Sequence, residues 1–73
     1  MVYEQNRTYT RTKGDSGIEV TRHYYNDHTG GHVSYSVATR ENDRWAERYD
    51  SLDYNTAQKI AQQCYERQTS GKK

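Results

Sequence analysis

The sequence predicts an α+β domain, a small antiparallel sheet of three to four strands with one C-terminal helix packed on one face, in the order ββββα. Three observations carry that prediction. Residues 18–25 and 32–40 alternate apolar and polar side chains with a period of two. Short runs of Gly, Asp, Asn and Ser separate the extended stretches. After residue 51 the apolar residues recur at helical spacing instead.

The first stretch, Val2 to Thr12, is rich in Thr and Tyr but has no convincingly apolar face, which suits an edge strand. Lys13-Gly14-Asp15-Ser16-Gly17 is a turn. Beyond it Ile18, Val20 and Tyr24 share one parity, interrupted by Arg22, while Glu19, Thr21, His23 and Tyr25 take the other. A strand with one buried face has that signature.

From His32 to Arg40 the pattern returns, with Val33, Tyr35, Val37 and Thr39 inward. Joining the two strands through a loop over 26–31 sets Tyr24 opposite Val33 and Val20 opposite Val37. The apolar faces then coincide, and a slip of one residue would separate them. Glu41-Asn42-Asp43 is a second turn, and Arg44 to Asp50 forms the last strand. Trp45 and Tyr49 are expected inward there. Glu47 shares their parity and fits badly, so a bulge or an edge position is expected at that point.

Asp53 is the expected helix N-cap, with Leu52 placed to staple onto the first turn. Ala57, Ile60, Ala61 and Cys64 form the apolar stripe. Residues 69–73 read as a disordered tail, which leaves 1–68 as a single domain.

At 73 residues the chain is near the lower size limit for a fold that rests on its own core. Only 30% of the residues are apolar; eight of them are Tyr, and Phe and Pro are absent. That polarity approaches the composition of disordered chains, but the net charge of +1 and the aromatic content favour folding. A thin core built on Tyr rings, with modest stability, is the expectation.

Met1 to Gln5 contain no apolar signal core, and no stretch is apolar enough for a membrane span. Asn6-Arg7-Thr8 matches a glycosylation sequon, a match with no secretion signal beside it. The single cysteine, Cys64, has no intrachain partner. A reducing, cytoplasmic location with no membrane contact is therefore expected.

His23, His28 and His32 fall within ten residues, together with Asp27. Zinc requires ligands converging tetrahedrally with a supporting shell, and no tight paired spacing occurs here. A polar hairpin is the expected reading, with no metal and no cofactor. Cys64 lies in the helix stripe, where packing outweighs nucleophilic chemistry. So short a chain also offers little room for a substrate pocket of about 300 Å³ or more. A catalytic role is not expected.

The outward side of the sheet is expected to show His23, Tyr25, His32, Ser34, Ser36, Arg40, Arg44 and Arg48, relieved by Glu19 and Asp50. Arg outnumbers Lys seven to four, and Arg stacks and forms forked hydrogen bonds. Tyr and Arg dominate protein-binding hot spots. The expected function is a small non-catalytic module that occupies the surface of a partner protein, an inhibitor or adaptor of the kind phages and mobile elements carry. Its binding surface comprises Tyr25, His23, His32, Arg40, Arg44 and Arg48. In architecture the expected fold is similar to sheet-reading DNA-binding modules, including plant AP2-type and integrase arm-binding domains. That resemblance implies an alternative in which the same face binds nucleic acid. The balance of 11 basic to 10 acidic residues weighs against it, because phosphate binding rests on uncompensated cations.

Overall fold

The computed structural model describes residues 2–70. Four strands, β1 (Val2–Arg11), β2 (Gly17–Asp27), β3 (Gly30–Glu41) and β4 (Arg44–Leu52), are followed by one helix, α1 (Tyr54–Ser70). The strands form one antiparallel sheet in the order β1-β2-β3-β4, so the fold is ββββα as expected and β1 is an edge strand.

The central pairing follows from the apolar alternation. Val20 lies opposite Val37 and Tyr24 opposite Val33, which puts both apolar rows on the helix side. The connection is tighter than the loop over 26–31, because the strands run on to Asp27 and resume at Gly30. Asp27 accepts hydrogen bonds from the Thr29 N–H (2.8 Å) and hydroxyl (2.6 Å), an Asx turn. Gly30 supplies the φ of +120° that a side chain would disfavour. Asn42 and Asp43, with φ of 54° and 67°, make the β3–β4 turn, and both residue types tolerate this left-handed region.

β4 is irregular. One shift lies between the pairs Tyr35–Leu52 and Val37–Tyr49, where Ser51 takes a φ of 58°. A second lies between Thr39–Glu47 and Arg40–Trp45, with Ala46 as the extra residue. The bulge expected near Glu47 is therefore present. It reverses the expected orientation of Trp45, which shares a pair with outward-facing Arg40 and is 56% exposed. Glu47 instead lies opposite Thr39 on the helix side and accepts from Arg67 at 3.0 Å; Glu41 accepts from the same guanidinium at 3.2 Å.

Asp53 caps the helix as expected, accepting from the Thr56 N–H at 2.7 Å while its carbonyl takes the Ala57 N–H. The helix continues through Ser70, beyond the expected end at 68, and Thr69 and Ser70 bond back to the carbonyls of Tyr65 and Arg67. The rest of the expected tail lies outside the described residues. No described helix is long and apolar enough to cross a membrane.

The core is thin. Ile18, Val37, Ala57 and Cys64 are its buried apolar members, edged by Val20, Tyr35, Leu52, Ile60 and Ala61. Ala57 and Ala61 let the helix approach the sheet closely, and it packs on β2 and β3. It runs from Tyr54, whose ring meets Tyr35 edge-on at 5.5 Å, to Gln68, whose amide reaches the Gly17 and Arg40 carbonyls.

At 17 residues the helix is about 26 Å long, whereas β2 and β3 span about 37–41 Å. The hairpin beyond Tyr35 therefore projects past the helix as a blade with both faces open. This accounts for a radius of gyration of 13.9 Å, against about 11 Å for a compact chain of this length. The helix also leaves β1 bare. The groove between them, about 510 Å³ with Ile18 and Val20 in its lining, is larger than the pocket room expected from chain length, and it is open to solvent.

Candidate binding face

The sheet face opposite the helix is built by strand parity. It takes Tyr3, Gln5, Arg7 and Tyr9 from β1, Glu19, Thr21, His23 and Tyr25 from β2, and Ser34, Ser36, Ala38 and Arg40 from β3, with Trp45 and Arg48 from β4. No described element packs over it, yet its centre is closed by its own side chains. Thr21 and Ser36 are 5% and 6% exposed at the floor of a polar hollow of about 330 Å³. Arg7, Glu19, His23 and Arg48 wall that hollow.

A hydrogen-bonded diagonal crosses three strands at the hollow. His23 Nδ1 lies 2.8 Å from the Tyr3 hydroxyl, and His23 Nε2 lies 3.0 Å from Ser36 Oγ. Tyr3 stacks beside the His23 ring at 6.2 Å and meets Tyr25 at 5.2 Å. At the blade end, Tyr3 and Tyr25 are 49% and 43% exposed, an aromatic patch held by rigid strands. Tyr25 pairs with His32, whose Nε2 is 3.3 Å from the Thr29 hydroxyl and 3.9 Å from Asp27. The Thr29 hydroxyl and N–H hold the Asp27 carboxyl below its ordinary range.

At the other end, the Arg40 guanidinium sits 5.6 Å over the Trp45 ring and also pairs with Asp43. Arg48 Nε donates to both oxygens of Asp50, at 3.0 and 3.2 Å. A second hollow of about 270 Å³ flanks Trp45, floored by Ala38 and bounded by Glu19 and Arg48.

Of the residues expected on this surface, Tyr25, His23, His32, Arg40 and Arg48 share the face. Arg44 does not, because it pairs with Glu41, whose carboxylate is directed to the helix. The inserted Ala46 and the tight turn before it shift the parity on which that expectation rested. The three histidines do not converge: His23 is engaged at the hollow, His32 lies on the outer face and His28 occupies the turn. Among the described residues no group of three His, Cys, Asp or Glu side chains is arranged to hold a metal ion. Cys64 is buried in the core, where desolvation pushes its thiol up despite the nearby Arg67.

Trp45 and, from β1, Tyr3, Gln5, Arg7 and Tyr9 belong to this face but not to the expected surface. Glu47 was the signal for Trp45, since a carboxylate sharing parity with two aromatics implies a break in alternation. For Tyr3 and Tyr9 the signal was a core too thin to take every tyrosine, but a strand with no apolar face did not say which side they occupy. No family model matches the chain, and comparisons with curated proteins and with solved structures return no match either.

Proposed function

We propose that this protein is a non-catalytic binding module, an inhibitor or adaptor, that docks on a partner protein through the sheet face opposite its helix. The observation that carries the reading is the exposure of Trp45, braced by Arg40, on the same open face as Tyr3 and Tyr25. Aromatic side chains on rigid strands lose little entropy on binding, and Arg adds stacking and forked hydrogen bonds. Eight positions along β3 separate the two anchors, from His32 beside Tyr25 to Arg40 beside Trp45. That is roughly 27 Å, a span suited to an interface of standard size.

Tyr3, His23 and Ser36 have the order of an orienting group, base and nucleophile, but their setting supports a structural role. Ser36 sits mid-strand opposite Thr21 of β2 and level with the bulge of β4, and it is nearly covered, which leaves its hydroxyl little access to a substrate. Nucleic-acid binding through this face has less support, because Asp43 and Asp50 already compensate Arg40 and Arg48. A cytoplasmic setting agrees with a sole cysteine used for packing.

The test is affinity capture from the native host with matched variants. Tyr25→Ala and Trp45→Ala should each weaken retention of the partner about thirtyfold, while Tyr65→Ala on the exposed helix side should not. Loss with Tyr65→Ala and full retention with the other two would place the interface on the helix side and defeat the proposal. A captured nucleic acid, with binding that collapses as salt rises, would replace it with the alternative.

A further inference from the structure

We propose that the outer edge of β1 is a self-association site, pairing antiparallel with β1 of a second copy about a two-fold axis through Asn6. This goes beyond docking through the open sheet face and does not rest on it.

The edge itself poses the problem. β1 runs from Val2 to Arg11 and pairs with β2 at every position without a register shift, and every one of its residues is exposed. Its other edge carries a row of backbone N–H and C=O groups that no element among the described residues covers. Proteins blunt such an edge with proline, charged side chains, bulges, short length or a covering helix. β1 has charges of both signs, Glu4, Arg7 and Arg11, but neither Pro nor Lys, no bulge, ten residues of length and no packing against α1. The opposite edge, β4, has two bulges. A straight, uncovered strand of this length whose charges can be met by an opposing copy is a template for another strand.

The side chains favour a second copy as that strand. A two-fold axis normal to the sheet sets residues of equal parity opposite each other, because directly opposed side chains share a face. The equal-parity register centred on Asn6 pairs Val2 with Thr10, Tyr3 with Tyr9, Glu4 with Thr8 and Gln5 with Arg7, and no like charges face each other. Moving the centre to Arg7 would oppose two guanidinium groups. Centring on Gln5 or Thr8 shortens the ladder.

At the Asn6 centre the two carboxamides meet across the axis, and each can donate its N–H to the oxygen of the other. Tyr3 and Tyr9 of opposite copies form an aromatic cross-strand pair at both ends of the ladder. The tip of the Tyr9 ring lies over Gly17, in space that the absence of a Cβ leaves open. The product is a continuous eight-stranded sheet with both helices on one side and both outer faces on the other.

Sedimentation velocity over a concentration series, with native mass spectrometry, tests the site. The wild-type chain should dimerise reversibly. Asn6→Lys and Asn6→Asp should each weaken self-association several-fold by setting like charges face to face. Mixing the two should restore dimerisation and favour the mixed dimer over either parent. Circular dichroism checks that each variant is folded, as an exposed position predicts. A wild-type chain that stays monomeric at millimolar concentration overturns the proposal and leaves the edge to a foreign strand. So does a pair of folded variants that dimerise like wild type, or a mixture with no preference for the mixed dimer.

Discussion

β1 and β4 flank the same two central strands, yet they meet solvent differently. β4 carries two bulges and a left-handed serine, and Arg67 of the last helical turn holds its Glu47. β1 runs straight for ten residues and is secured by its ladder to β2 together with side-chain links such as Tyr3 to His23. The bulges twist β4 out of pairing geometry and spread its side chains over both faces, which is how one edge of a sheet is closed to association. β4 is irregular because it has a tertiary job, carrying Trp45 outward and Glu47 inward. β1 meets the rest of the fold through one ladder and the side chains along it, so its free edge keeps the regular spacing that another strand requires.

The largest expected effect lies between the two edges. Thr8, Val20, Val37 and Tyr49 form one row across the sheet, with fully buried Val37 at its centre. Val37→Ala should cost about 2–3 kcal/mol in denaturant unfolding, by lost transfer energy and a residual cavity. Amide exchange should rise in both edge strands together, because both hang on this row. If Val37→Ala is harmless, or if β1 alone is loosened, the edges do not share a core.

The bulge comes next. Ser51 holds a φ of 58°, which costs a non-glycine residue about 1 kcal/mol or more and costs glycine almost nothing. Ser51→Gly should therefore raise stability by about 0.5–1 kcal/mol, after the extra freedom glycine gives the unfolded chain is offset. Exchange in β1 should fall only as far as global stability rises. A destabilised variant would show that the serine side chain, not the bulge geometry, matters at that position.

The smallest effect should come from the helix tie. Arg67 is half-exposed, and its bonds to Glu47 and Glu41 lie at the surface, so Arg67→Gln should cost about 0.5 kcal/mol at low salt and less at high salt. Its local signature is faster exchange near Glu47, with β1 unchanged. A loss above about 2 kcal/mol would mean that the ion pairs hold the fold and do not merely orient the edge.

The β2–β3 register, the Asp53 cap and the burial of Cys64 are legible in the amino-acid order alone. Each follows from local periodicity or a short-range bond, and alternation on two neighbouring strands leaves one pairing that joins their apolar faces. The edge character of β1 was legible for a similar reason, since a strand with no apolar face gains little from a central position. The two faces of β4, by contrast, depend on the packing of the whole domain. Glu47 turns inward to meet Arg67, twenty residues later in the chain, and Ala46 absorbs the change of parity; Trp45 is thereby released to the open face and Arg44 leaves it. The full reach of the strands past the helix was decided there too, because the short Asp27–Gly30 turn depends on a cross-strand ladder that no single segment encodes. Local alternation specifies a strand's two sides, whereas a bulge is set by what the neighbouring elements offer each side, and that information is non-local.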